Sequence, residues 1–264
     1  LAAHRQAEIG YLGRHGGAKL HFIHTDDPRF DMAGFATEMR EAIPGLDHVV
    51  TVRGPADRPD IHSFEALIAA EDPQAARALV DGIAHDPYKV VLFQLSGGTS
   101  GVPKIIPRFN NEYRYTIQSV IDWVGLDRDL VAFTPNPFMH NAPMAQYWGP
   151  ALLLGGEVAI AGGPSIRKIE ETLAARRPNW IALAKVHMLR LKEIGATDRL
   201  SFDNVLGFIV TDSAPILSEI VGARCLPIFG MTEGLLCFVR PGDPEAAFAA
   251  TVGRPTSPFD ELRI

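Results

Sequence analysis

Leu95–Lys104 reads LSGGTSGVPK and continues directly from the apolar run Val90–Leu95, VVLFQL. A strand-forming run that empties into three glycines, three hydroxyl side chains and one lysine is suited to an anion. Glycines let backbone amides converge, Ser96, Thr99 and Ser100 add donors, and Lys104 supplies countercharge. The expected polyphosphate contacts are therefore Ser96, Gly97, Gly98, Thr99, Ser100, Gly101 and Lys104. A Walker-type loop is also glycine-rich, but it needs Gly-Lys followed by Ser or Thr at the start of a helix. Here Pro103 precedes the lysine and Ile105 follows it, so that pattern fails.

On either side of this loop, strand-like runs alternate with helical patterns. The runs are Lys19–His24, Val49–Val52, Val90–Leu95, Glu157–Ala161, Trp180–Leu183 and Val205–Val210. Alternation of this kind predicts layered α/β structure. The clearest helix carries Ile166, Ile169 and Leu173 on one face, with Arg167, Lys168, Glu170 and Glu171 on the other. It stops at Pro178. Further helices are expected from Glu112 to Val124 and from Pro215 to Val221, the second with proline in its first turn. The stretch Arg53–Asp60 (RGPADRPD) is rich in Pro, Gly and charge and is read as a surface excursion between subdomains.

Composition narrows the function classes. With 264 residues, 47% hydrophobic and 21% charged, the chain can bury a core, and its net charge of −6 disfavours a nucleic-acid partner, which would want a basic face. No apolar run approaches the ~18 residues of a membrane span. Cys225 and Cys237 have no metal-ligand spacing and fit a reducing, cytoplasmic setting as two half-buried thiols.

SGGTSGVPK resembles the phosphate-loop signature of the adenylate-forming superfamily, which includes acyl-CoA synthetases, luciferases and peptide-synthetase adenylation domains. The longer string FQLSGGTSGVPKIIPRFNNEY is similar to the 2,3-dihydroxybenzoate-AMP ligase type. Two further segments follow in the family's order: PFMHNAPMAQ at Pro137–Gln146 and FGMTEG at Phe229–Gly234. The resemblance runs from LAAHRQAE to GRPTSPFDELRI. It implies that residues 1–264 are part of the large N-terminal domain, truncated at both ends, without the mobile C-terminal domain and its catalytic lysine.

By this resemblance ATP is bound with Mg2+. Gly230 and Met231 lead to Thr232 at the α-phosphate, and Glu233 helps hold the metal, which suits magnesium's habit of taking one or two carboxylates plus substrate phosphates. Lys104 assists pyrophosphate departure, and Ser213, Ala214 and Pro215 line the adenine. His140 gates the tunnel to the carboxylate, and Asn141 hydrogen-bonds an ortho hydroxyl of the acid. The chain also departs from the pattern. Gln146 stands where a small hydroxylated residue is usual and Ala142 where an aromatic is common. Asp212 and Ser213 replace two glycines, and Lys185 replaces a proline. Asp212 is either a solvated loop residue or a partner for a basic substituent, and Lys185 has no assigned task.

The implied activity is adenylation of a small ortho-substituted aromatic acid and transfer to a carrier-protein thiol, as in siderophore or nonribosomal peptide biosynthesis. Transfer to coenzyme A is the alternative, and a non-catalytic nucleotide- or aryl-acid-binding fragment is another. Intact Thr99, Lys104, Thr232 and Glu233 argue against the last.

Overall fold

The computed structural model describes residues 4–96, 104–211 and 213–263. Gly97, Gly98, Thr99, Ser100, Gly101 and Asp212 lie outside these, so their expected roles are not addressed by it. The chain divides into two compact units, Leu1–Asp86 and Pro87–Ile264.

The first unit contains α1 (Gln6–Gly16), β1 (Leu20–Ile23), α2 (Met32–Ala42), β2 (His48–Thr51), β3 (Ile61–Ser63), α3 (Phe64–Ala70) and α4 (Pro73–Asp81). Its three strands pair in parallel in the order β1-β2-β3. Residues 53–60 connect β2 to β3 inside this unit. The excursion expected there does not separate subdomains; the division falls between Asp86 and Pro87.

The second unit begins with β4 (Val90–Ser96) and β5 (Lys104–Phe109), an antiparallel pair in which Ser96 stands opposite Lys104. The two ends of the glycine-rich segment are thus neighbouring strand positions. Next come α5 (Asn110–Val124), β6 (Val131–Phe133), α6 (Asn141–Pro143), a π-helical turn (Met144–Trp148), α7 (Gly149–Leu154) and β7 (Glu157–Ala159). The remaining elements are α8 (Ile166–Arg176), β8 (Trp180–Ala182), α9 (Lys185–Glu193), β9 (Gly207–Val210), α10 (Ala214–Val221), β10 (Cys225–Gly230), β11 (Leu236–Phe238), α11 (Glu245–Ala250) and β12 (Arg254–Pro255).

Seven strands form one sheet in the order β12-β11-β10-β9-β8-β6-β7, parallel from β7 to β10 and antiparallel at β11 and β12. Every residue of β8 and β9 is buried, as expected for parallel strands covered on both faces. Alternate side chains go to opposite faces. Trp180, Ala182, Ile209, Leu226 and Ile228 join one core with residues of α5 and the π-helical turn, while Ile181, Phe208, Val210 and Cys225 join another with α8, α9 and α10. The predicted α8 stripe is observed: Ile169 and Leu173 are buried, and the Ser165 hydroxyl caps the helix by accepting from Lys168 N. Among the described residues, no helix is long and apolar enough to cross a membrane.

Strand order determines where a ligand can enter. From β6 the chain moves outward to β7, then returns past β6 to β8 and continues the other way. Crevices outside the carboxyl ends of parallel strands at such a reversal are the usual binding places of open α/β sheets.

Candidate active site

A pocket of about 130 Å³ lies at that reversal. Asn136 comes from the segment after β6, Ala182, Leu183 and Ala184 from the end of β8, and Ile209, Val210 and Thr211 from the end of β9. Ala142, Gln146, Tyr147 and Ile228 complete it. Its volume is well below the ~300 to 1,000 Å³ of drug-sized sites, so it suits one small ring. No charged side chain lines it among the described residues.

Two oxygen atoms in its walls stand out. Gln146 and Tyr147 are each 2% exposed, and Gln146 Oε1 and Tyr147 Oη have no hydrogen-bond partner among the described residues. Burial alone raises the Tyr147 pKa well above its ordinary value, so the phenol stays protonated. Both residues belong to the π-helical turn, whose widened pitch recurs at functional sites. Trp180 Nε1 anchors that turn by donating to the Gln146 carbonyl at 2.7 Å.

Thr211 also lines a second, larger cleft of about 540 Å³, with Ser213, Ala214, Pro215, Pro227 and the segment 248–253. Three of the expected adenine contacts therefore share one cleft, which adjoins the small pocket through Thr211. Gly230 marks another approach. A Cβ there would lie 2.9 Å from Leu236 Cδ2 and 4.0 Å from Gln146 Nε2, so the glycine lets the β10 backbone pass close to the pocket wall.

The remaining expected residues are arranged differently. Lys104 is exposed as the first residue of β5. Glu233 is exposed and lines a cavity of about 270 Å³ with Glu112, Thr116, Ser119, Thr256, Ser257 and Asp260, while Thr232 is half-buried. No group of three or more His, Cys, Asp or Glu with metal-binding geometry occurs among the described residues. Glu233 thus fits magnesium only as a single protein carboxylate beside substrate phosphates.

His140 does not line the 130 Å³ pocket. It is exposed, and its Nδ1 accepts from Ala142 N at 3.3 Å, capping the helical run. Asn141 does not line the pocket either. It is 7% exposed, and its Oδ1 accepts from Arg108 Nη1 at 3.4 Å and Tyr113 Oη at 3.2 Å, while Nδ2 donates to the Met231 carbonyl at 3.3 Å. The guanidinium on one side fixes which way the amide faces. One Nδ2 proton is left for any other partner.

Arg108, absent from the expected site, organises this region. It is 1% exposed, and all five of its N–H groups find acceptors: both carboxylate oxygens of Glu112, Thr116 Oγ1 at 3.4 Å, Asn141 Oδ1, and the Thr232 carbonyl at 2.7 Å. Its guanidinium carbon also lies 4.6 Å from the Tyr113 ring centroid. Arg108 therefore joins the His-Asn segment to the FGMTEG segment. The signal for it was an arginine directly after the apolar run Ile105–Pro107, with a glutamate four residues on.

A parallel sheet with a ring-sized pocket and a larger cleft at its reversal point is the architecture of an α/β ligand-binding domain. The family model described as AMP-binding enzyme matches residues 2–264, and the chain belongs to that family. The salicylyl-CoA synthase / salicylate adenylyltransferase of a Streptomyces species is 31% identical, over all of this chain and 49% of that protein. The vibriobactin-specific 2,3-dihydroxybenzoate-AMP ligase of Vibrio cholerae is 29% identical, again over all of this chain and 49% of that protein. Among solved structures, apo MbtA of Mycobacterium smegmatis superposes with a TM-score of 0.80 at 27% identity, covering 99% of this chain and 47% of that one. The chain thus spans about half the length of the relatives it matches.

Proposed function

We propose that this chain provides the acid pocket and part of the nucleotide cleft of an aryl-acid adenylating ligase. The observation that carries the proposal is the adjacency of the 130 Å³ pocket and the 540 Å³ cleft across Thr211. The ring of the acid would occupy the small pocket against Ala142, Ile209 and Ile228, with its carboxylate directed toward the cleft. Ser213, Ala214 and Pro215 would face the adenine. The carboxylate oxygen attacks the α-phosphorus of ATP, the bond to the bridging oxygen breaks, and pyrophosphate leaves with an aryl-adenylate formed.

In this reading Thr232 donates to an α-phosphate oxygen, stabilising charge as it grows. The glycine-rich segment Gly97–Gly101, with Ser96 and Lys104, receives the departing phosphates. Magnesium held through Glu233 would neutralise phosphate charge. Gln146 Oε1 and Tyr147 Oη would receive a polar substituent of the ring, since a buried oxygen left unpaired is costly. Asp212 is the proposed partner for a basic substituent. Asn141 lies outside the pocket but directly precedes its wall residue Ala142, and its remaining Nδ2 proton is the one that would meet an ortho hydroxyl, while His140 would act at the rim.

The acceptor of the acyl group is proposed to be a carrier-protein thiol. The coenzyme A alternative draws support from the double name of the Streptomyces relative, which includes salicylyl-CoA synthase. The test is ATP–pyrophosphate exchange by the polypeptide that the open reading frame encodes, with salicylate, 2,3-dihydroxybenzoate, 3-hydroxyanthranilate and 3-hydroxypicolinate. Exchange with at least one acid is expected, with 2,3-dihydroxybenzoate not preferred over all the others. Glu233→Ala should lower it at least about tenfold, equivalent to ~1.4 kcal/mol of transition-state stabilisation. Nucleotide binding without exchange, from an open reading frame well under about 500 residues, would instead favour a binding module.

A further inference from the structure

Lys185 has no part in the reading above, yet it makes a specific contact. Its Nζ donates to Ser213 Oγ at 3.2 Å, tying the first turn of α9 to the residue directly before α10. Ser213 is one of two described non-glycine residues with positive φ, at 55° with ψ of 30°. An L-residue in this left-handed region meets a steric penalty that glycine avoids. Serine at a helix start ordinarily uses its hydroxyl to accept from that helix's own amides. Ser213 makes no such bond; its hydroxyl accepts from Lys185 instead.

Lys185 is unfavourably placed by its own helix. It stands in the first turn of α9, at the positive end of the helix dipole, with no acidic residue beside it there. Two locally disfavoured choices, a cation at a helix N-terminus and a serine in a left-handed turn, therefore meet in one hydrogen bond. The contact lies between the two cavities. Ala184, directly before Lys185, lines the small pocket, and Ser213 lines the larger cleft.

We propose that Lys185 is a positioning residue: its hydrogen bond holds the Ser213 turn, and with it the cleft wall formed by Ser213, Ala214 and Pro215. The proposal rests on the reading of that cleft as the nucleotide site.

The experiment is a two-by-two cycle of Lys185→Ala and Ser213→Gly in the present chain, followed by thermal unfolding and by calorimetric titration with ATP. In the Ser213 background, Lys185→Ala should lower Tm and weaken ATP binding about five- to thirtyfold, the scale set by a left-handed penalty of ~1 to 2 kcal/mol. In the Ser213→Gly background the same change should weaken binding less than about twofold and leave Tm nearly unmoved, because glycine adopts the turn unaided. Equal losses in both backgrounds, or no loss in either, would overturn the proposal. If the unmutated chain binds no ATP, the reading of the cleft fails. The unfolding cycle then still decides whether Lys185 holds the turn.

Discussion

Two polar regions lie within one helical run, and they are treated in opposite ways. At its start, Asn141 has both ends of its amide engaged, within a cluster that saturates the buried guanidinium of Arg108. A few residues later, Gln146 Oε1 and Tyr147 Oη are as deeply buried and have no hydrogen-bond partner among the described residues. Buried polar groups are nearly always hydrogen-bonded in folded proteins, so the contrast separates two tasks. The Arg108 cluster fixes backbone positions, whereas the Gln146 and Tyr147 oxygens are left for something from outside. The division has one blemish: Gln94 donates through Nε2 to Tyr113 Oη, but its Oε1 also has no hydrogen-bond partner among the described residues.

The largest effect should come from the acid of the Arg108 cluster, not from the base. Glu112 is 40% exposed while Arg108 is 1% exposed, so removing the carboxylate strands a buried cation, and removing the guanidinium leaves an anion that water can reach. Glu112→Leu is expected to cost about 3 to 5 kcal/mol in urea unfolding, and Arg108→Met added to it should recover part of that loss. A cost for Glu112→Leu below about 1 kcal/mol would remove the structural reading of this cluster.

Asn141→Ala comes next, at about 1 to 3 kcal/mol, because it takes the acceptor from a guanidinium proton and from the Tyr113 hydroxyl proton and leaves the Met231 carbonyl with Gly234 N as its donor. If Asn141 also meets the acid, the acid KM should rise while the ATP KM stays put. Unchanged acid kinetics would assign Asn141 wholly to the fold.

Alkaline pH offers a third measurement. Burial pushes the Tyr113 pKa up to about 12 from an ordinary value of 10.0. The folded state thus keeps a proton that the unfolded state releases. The associated stability is intact below about pH 10 and is lost as pH rises through about 12. Tyr113→Phe should flatten this part of the pH–stability curve, and an identical slope in the variant would mean that the hydroxyl is not the group being titrated.

The smallest effect on stability belongs to Tyr147→Phe. Deleting an unpaired buried hydroxyl should be neutral or slightly stabilising, within about 1 kcal/mol, while the acid KM rises if the ring substituent meets that oxygen. A destabilisation above about 2 kcal/mol would reveal a partner for the hydroxyl and collapse the contrast with Asn141.

Much of the fold was legible where periodicity and punctuation agree. The α8 stripe, its stop before Pro178 and the proline-led α10 all follow from local pattern. Of the parallel strands of the large sheet, β7, β8 and β9 were visible as apolar runs and β6 and β10 were not among those runs; β7 and β8 end earlier than their runs because strand pairing stops before the apolar residues do. The unit boundary was not legible. A Pro/Gly-rich loop at 53–60 gives a louder signal than the single proline at the true division.

In the candidate site, Gln146 could be singled out by its unusual size, and the pocket does include it. The setting of Asn141 could not be anticipated. Its partners Arg108 and Met231 are 33 and 90 residues away, and only the folded sheet brings them together. A π-helical turn likewise leaves no mark on composition, because it changes pitch without requiring a particular residue.

That turn bears on how the pocket can change over evolutionary time. A π-helical turn is an α-helix carrying one surplus residue, and each residue of a regular helix advances the facing direction by roughly 100°. Losing a single codon between Met144 and Trp148 would let the run close into ordinary α-helix and swing a different side chain into the wall that Gln146 now forms. Ligand preference at this spot is therefore open to revision by insertion and deletion as well as by point substitution, with the sheet beneath it left untouched.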